Sequence, residues 1–260
     1  MEKKKTSPLY KVIKWLVWLF SPKFKVEGAE NLPEGGCIVV GNHSHMYGPI
    51  ACELYTPGQH ETWCTGEMFH KEEVAEYAFN DFWSGKPKAT HWFYRILSHL
   101  ITPLSVLIFN NADTIPVYRD TRLYGTFRQS ITALEEGKRV VIFPECYDPH
   151  NNIVYSFQKE FVDLARMVYR KTGEEISFVP LYVCPKLKKM VYGPPVKFHG
   201  GAEIGGERER VCGELMDGIT GIALSLPKHK VVPYPNVSKR YFKYNIPLEV
   251  YDGKTEETVI

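Results

Sequence analysis

An α/β fold with a mostly parallel central sheet flanked by helices is what this sequence predicts. Short β-branched runs at 37–40, 140–143 and 177–183 alternate with segments of helical period at 122–136 and 157–171. Those helical segments stop just before Gly137 and Gly173, residues suited to a helix C-terminus. The residues able to do chemistry stand directly after the strands, where the ligands of open α/β sheets gather.

Each element follows in order. Pro8 can open a helix and Pro22 must close it, so residues 9–20 form a helix about 18 Å long. Trp15, Trp18, Leu19 and Phe20 make it greasy, and Lys11 and Lys14 share one side. Residues 37–40 and 62–65 read as strands, with 66–95 a polar and aromatic helix-plus-loop region of inserted-lid character. The apolar run 96–109, interrupted by Ser98, His99, Thr102, Pro103 and Ser105, is too short to span a bilayer and reads first as a buried core helix kinked at Pro103, with an acyl-tunnel wall or a membrane-dipping face as the other reading. Residues 114–118 and 140–143 are strands on either side of the 122–136 helix. Strands at 177–183, 190–192 and 196–198 precede a last helix at 208–224. The stretch after Pro227 is basic and aromatic and suits a surface position.

Composition narrows the function. The chain has 260 residues, 44% hydrophobic and 24% charged, a usual soluble mix that needs no disulfide staples. A net charge of +2 argues against nucleic acid as a partner. The charge is unevenly placed: residues 1–25 hold seven lysines and a single acid, Glu2, so the remainder is net acidic. A basic, Trp-rich helix is the pattern of an interfacial membrane anchor. We therefore divide the chain into a membrane-association segment, 1–25, and an α/β domain, 26–260. No small-x-small cleavage site follows the helix, so it is not read as a signal peptide. The six cysteines show no C-x-x-C spacing; free thiols in a reducing compartment are expected, and no metal.

Four stretches carry the chemistry: residues 41–49 with Asn42, His43 and Ser44; 114–119 ending in Arg119; 143–145 with Pro144 and Glu145; and 178–181. In their order and chemistry they resemble the glycerolipid acyltransferase superfamily, whose best-known members are the 1-acylglycerol-3-phosphate (lysophosphatidic acid) acyltransferases. That family shows N-H-x4-D, an arginine block, F-P-E-G-T-R-S and a V-P block. The resemblance covers residues 36 to about 183.

The resemblance implies an O-acyltransferase that moves a fatty acyl group from acyl-CoA or acyl carrier protein, as co-substrate, to a glycerolipid or related acceptor, with no cofactor. His43 would be the general base, Arg119 would hold an anionic group of the acceptor, and Glu145 would position it, with Asn42, Ser44 and Pro144 beside them. The enzyme would sit peripherally on the cytoplasmic face of a membrane. The family's aspartate falls at position 48, which is Gly48 here, and Cys146, Tyr147 and Asp148 replace Gly-Thr-Arg. A carboxylate that orients the histidine is worth orders of magnitude in rate. Asp148, ahead of Glu145, is the expected substitute, and Gly48→Asp the expected rescue. An acid in place of a phosphate-pairing arginine disfavours a phosphate there. The same departures support the alternative of a weak or inactive lipid- or acyl-binding relative. A hydrolase ranks behind both, since no G-x-S-x-G elbow is present.

Overall fold

The structure is a computed structural model that describes residues 6–246. Helix α1 (Pro8–Phe20) leads into strand β1 (Lys25–Glu27), β2 (Cys37–Gly41), α2 (Tyr47–Tyr55), β3 (His60–Thr65), α3 (Lys71–Ala78) and α4 (His91–Asn111). Then come β4 (Thr114–Val117), α5 (Leu123–Glu135), β5 (Arg139–Ile142), the hairpin β6 (Glu145–Pro149) and β7 (Tyr155–Phe157), and α6 (Asp163–Thr172). Strands β8 (Ser177–Cys184), β9 (Lys189–Tyr192) and β10 (Val196–Lys197) precede α7 (Ile204–Ser225).

The sheet runs β1-β9-β8-β2-β5-β3-β4, with β10 also pairing with β8. Strands β8, β2, β5, β3 and β4 are all parallel to their neighbours in this order. Strand β9 returns antiparallel on β8. The predicted α/β class is therefore the observed one. Period-2 alternation sends Ile38, Val40, Val140, Ile142 and Phe178 to one face, where they pack with residues of α5, α6 and α7. Cys37, Val39, Val141, Val179 and Leu181 go to the other face, against Ala51 and Cys52 of α2. Burial on both faces is what lets these strands be continuous apolar runs. All six cysteines are free.

Three sequence expectations change. The predicted helix over 157–171 is shorter: Phe157 ends β7, and a 3-10 turn at Lys159–Val162 comes before α6. The basic, aromatic stretch after Pro227 does not simply lie outside. It forms a strap in which Val231 N–H donates to Lys243 C=O (2.8 Å) and the Asn245 side chain holds Ala223 C=O (2.7 Å). Val231, Val232 and Phe242 are buried under it.

The third change concerns α4, which is not a buried core helix. Its buried residues are Ser98, Thr102 and Ser105, and Trp92, Phe93, Ile96, Leu100 and Leu104 are exposed, Leu100 at 68%. The spacing of 98, 102 and 105 is one helical face. Small polar residues face the domain, where Ser105 Oγ donates to Met68 C=O (3.2 Å), and the apolar face looks out. With 21 residues the helix is about 32 Å long. Together with the turn before it, it is long and apolar enough to cross a membrane by length and composition.

Helix α1 lies beside α4: Ser7 N–H donates to Asn111 Oδ1 (2.8 Å). Tyr10 OH and Lys14 Nζ both bind Glu53 of α2, at 2.7 and 2.5 Å. Lys14 was expected, with Lys11, to face anionic head groups, and Glu53 engages it here. Lys3, Lys4 and Lys5 lie outside the described residues. Trp15, Trp18 and Phe20 are exposed, Phe20 at 82%.

Candidate active site

Strands β2 and β5 are neighbours and parallel, so the residues that follow them meet at one sheet edge. His43 is two residues past β2. Pro144 has no N–H to continue a ladder, and the chain leaves β5 there; Glu145 is the first residue of β6. The His43 N–H donates to Glu145 Oε2 at 2.6 Å, and Tyr155 N–H donates to Glu145 Oε1 at 3.0 Å. Glu145 is 3% exposed. Burial pushes its carboxyl up to about 7, against the opposing pull of those two N–H groups. Both oxygens are engaged by main chain, so Glu145 fixes the His43 loop instead of reaching toward a substrate.

The loop itself is unusual. Ser44 and His45 have φ of 47° and 54°, the left-handed region that non-glycine residues rarely adopt. The two successive residues turn the chain so that the His45 carbonyl oxygen comes back onto His43 Nδ1. A carbonyl only accepts, so Nδ1 carries the ring proton and Nε2 keeps its lone pair. Burial lowers the imidazole pKa, which keeps the ring neutral at physiological pH. The ring edge meets Phe143 at a centroid distance of 5.4 Å and Tyr234 at 5.8 Å.

Asn42 and Ser44, expected at the acceptor, stand behind the histidine. Asn42 Oδ1 accepts Val183 N–H (2.7 Å), and its Nδ2 donates to Ser44 Oγ (2.7 Å) and Val183 C=O (3.2 Å). Ser44 Oγ faces Val183 C=O (3.2 Å) and Val232 C=O (3.4 Å). Both residues are almost fully buried, and they tie the strained loop to β8 and the strap. Pro144 is buried, its carbonyl taking Gln158 N–H at 2.9 Å. His45 Nε2 donates to Pro235 C=O (2.9 Å), a second attachment to the strap.

Asp148 does not orient His43. Its carboxylate accepts Ser156 Oγ (3.3 Å) across the β6–β7 hairpin, in an exposed position. A carbonyl dipole at His45 takes the place expected for a carboxylate. The expected rescue by Gly48→Asp is also excluded by space. A Cβ at position 48 would lie 2.6 Å from His43 O, 2.9 Å from Asn42 O and 2.9 Å from Phe143 Cε1. Gly48 N–H donates to His43 O (3.0 Å), so the close approach is built into the turn.

Arg119 is exposed after β4, three strand spacings from β2, or about 14 Å along the edge. It makes no ion pair with the described residues, and its charge acts on Asp81 and Tyr77. Asp81 and Tyr77, with Glu67, Glu72, Glu73 and Glu76, line a cavity of about 450 Å³. Tyr234 feels Tyr147, Asp81, Glu145 and Tyr77, and burial with these neighbours pushes its phenol up to about 12. The structure thus joins His43 and Glu145 directly and leaves Arg119 apart from them, about three strand spacings away. Tyr234 and Tyr155 were not foreseen in the sequence. Their one signal was the aromatic character of the stretches around them.

No family model matches the chain, and no curated protein matches it in sequence. Among solved structures the chain is similar to the 1-acyl-sn-glycerophosphate (LPA) acyltransferase PlsC from Thermotoga maritima, with a TM-score of 0.47 and 20% identity over 84% of this chain and 81% of that one. That likeness is too distant to assign an activity or a residue's role.

Proposed function

We propose that the chain is a membrane-associated O-acyltransferase with His43 as general base. The observation that carries this reading is the state of His43: neutral, its Nδ1 proton on the His45 carbonyl, and its Nε2 lone pair at the carboxyl edge of a parallel sheet. Nε2 takes the proton of an acceptor hydroxyl as the oxygen attacks a thioester carbonyl. The C–O ester bond forms, the C–S bond breaks, and the proton passes from Nε2 to the departing thiolate. The donor is acyl-CoA or acyl carrier protein, and Arg119 holds an anionic part of a substrate. Membrane attachment uses the outward apolar faces of α1 and α4, with Lys11 at the rim. The protein then lies peripherally on the cytoplasmic face.

The purified protein, given lysolipid in vesicles and each donor in turn, should release free thiol above the His43→Ala background. Release equal to that background with every donor and acceptor would end the proposal. One observation favours a second reading, that of a lipid- or acyl-binding relative with little turnover: a neutral carbonyl stabilises an imidazolium far less than a carboxylate does. A single turnover that disappears in His43→Ala would eliminate this second reading.

A further inference from the structure

Beside His43 stands a group of three tyrosines. Tyr147 and Tyr155 come from opposite strands of the β6–β7 hairpin, and Tyr234 comes from the strap. Tyr234 lies 5.2 Å from Tyr147 and 6.2 Å from Tyr155 between ring centroids, and 5.8 Å from the His43 ring. Tyr147 is 72% exposed, so its face is open to a ligand.

Elsewhere the chain lays its own cations over aromatic faces: Lys23 over Trp18, Arg95 over Phe79, Arg122 over Tyr118 and Arg240 over Tyr241. No lysine or arginine among the described residues lies over Tyr147, Tyr155 or Tyr234. The charged carboxylate that acts on Tyr234 is Asp81; Glu145, with its carboxyl raised to about 7, adds little negative charge, and Asp148 turns to Ser156. Arg119 acts on Asp81.

We propose that this tyrosine group receives a positively charged ammonium head of the acceptor lipid and so selects a cationic or zwitterionic acceptor over a phosphate monoester. This deepens the acyltransferase reading and rests on it for the identity of the ligand as acceptor. Aromatic faces attract ammonium ions through the ring quadrupole, most strongly when several rings share one cation. A phosphate monoester at the same place would meet electron-rich rings and the field of Asp81, both unfavourable to an anion.

The test separates binding from turnover. Glycerophosphocholine and glycerol 3-phosphate are titrated calorimetrically into the full chain without acyl donor. Lysophosphatidylcholine, lysophosphatidylethanolamine and lysophosphatidic acid are then compared as acceptors in neutral vesicles. The choline compound should bind roughly tenfold more tightly than the phosphate. Tyr147→Leu, on an exposed position that leaves the fold intact, and Tyr234→Leu should each remove several-fold of that preference. Asp81→Asn should reduce it as well.

Equal or tighter binding of glycerol 3-phosphate by the unaltered chain would overturn the proposal. So would an equal loss for both ligands in the tyrosine variants. Choline-selective binding without thiol release would keep this site and remove the acyltransferase reading. Turnover confined to lysophosphatidic acid would do the reverse.

Discussion

The backbone N–H of His43 and the carboxylate of Glu145 are joined by a 2.6 Å hydrogen bond that ties the end of β2 to the beginning of β6. Two chain segments that parallel pairing only brings near are thereby locked together. The same carboxylate holds Tyr155 N–H, so one buried side chain aligns the histidine loop and the tyrosine hairpin.

Removing that carboxylate has a pH signature. With its carboxyl raised to about 7, the folded chain keeps a proton that the unfolded chain releases above the ordinary carboxylate range. Its contribution is complete below the unfolded pKa and declines as pH rises toward 7, by up to about 1.4 kcal/mol per unit. Glu145→Gln cannot titrate. Urea unfolding at pH 5 and pH 8 should show the gap between the two proteins moving in favour of the glutamine form at pH 8. Parallel behaviour at both pH values would contradict the assignment.

At Gly48 any side chain collides with main-chain oxygens, which cannot swing away as a flexible side chain would. Both Gly48→Ala and Gly48→Asp should cost about 1–3 kcal/mol in unfolding free energy. Both should also lower His43-dependent turnover. Turnover restored by adding Gly48→Asp to Asp148→Asn, the rescue expected from the sequence, would show that the loop relaxes freely.

On the proposed mechanism, the acid limb of the rate profile is set by His43. Burial lowers its pKa, so kcat/KM should rise with pH to a plateau reached below the ordinary histidine range. Asp148→Asn should leave the position of that limb unchanged, because Asp148 does not touch the ring. A displaced limb in that variant would restore Asp148 to the base.

The outward face of α4 offers a clean membrane test. Leu100→Asp replaces a residue that packs on nothing buried, so the unfolding midpoint should move little. Flotation with anionic vesicles should fall several-fold, and further when Trp15→Ser on α1 is added. Unaltered flotation of the double variant would place the contact elsewhere.

Much of this architecture was legible in the sequence because buried strands advertise themselves. Residues 37–40 and 140–143 are apolar on both faces, and only a doubly covered parallel sheet accommodates that. The meeting of His43 and Glu145 followed from the same reasoning. Helix α4 was misread because hydropathy tells what water excludes, not what replaces water. In an apolar run Ser98, Thr102 and Ser105 read as interruptions, yet they are the face that packs on the domain. Asp148 was misplaced because a hairpin with an irregular register turns it outward, which no spacing rule predicts. The orienting group of His43 could not be found among side chains at all, since it is a carbonyl aimed by two left-handed residues. Tyr234 and Pro235 were out of reach for another reason: the contact between His45 and Pro235 closes a loop of 190 residues.

That long closure sets an order of events during synthesis. The central strands and the helices that cover them are all made before residue 226 emerges from the ribosome. Yet the turn holding His43 gains its attachments through Val232 and Pro235 only afterwards. A nascent chain can therefore own a finished sheet while its histidine still samples other backbone shapes, until the strap closes on the turn. On the proposed mechanism, ribosome-released fragments ending before residue 232 should fold and remain silent, a built-in delay between acquiring a scaffold and acquiring chemistry.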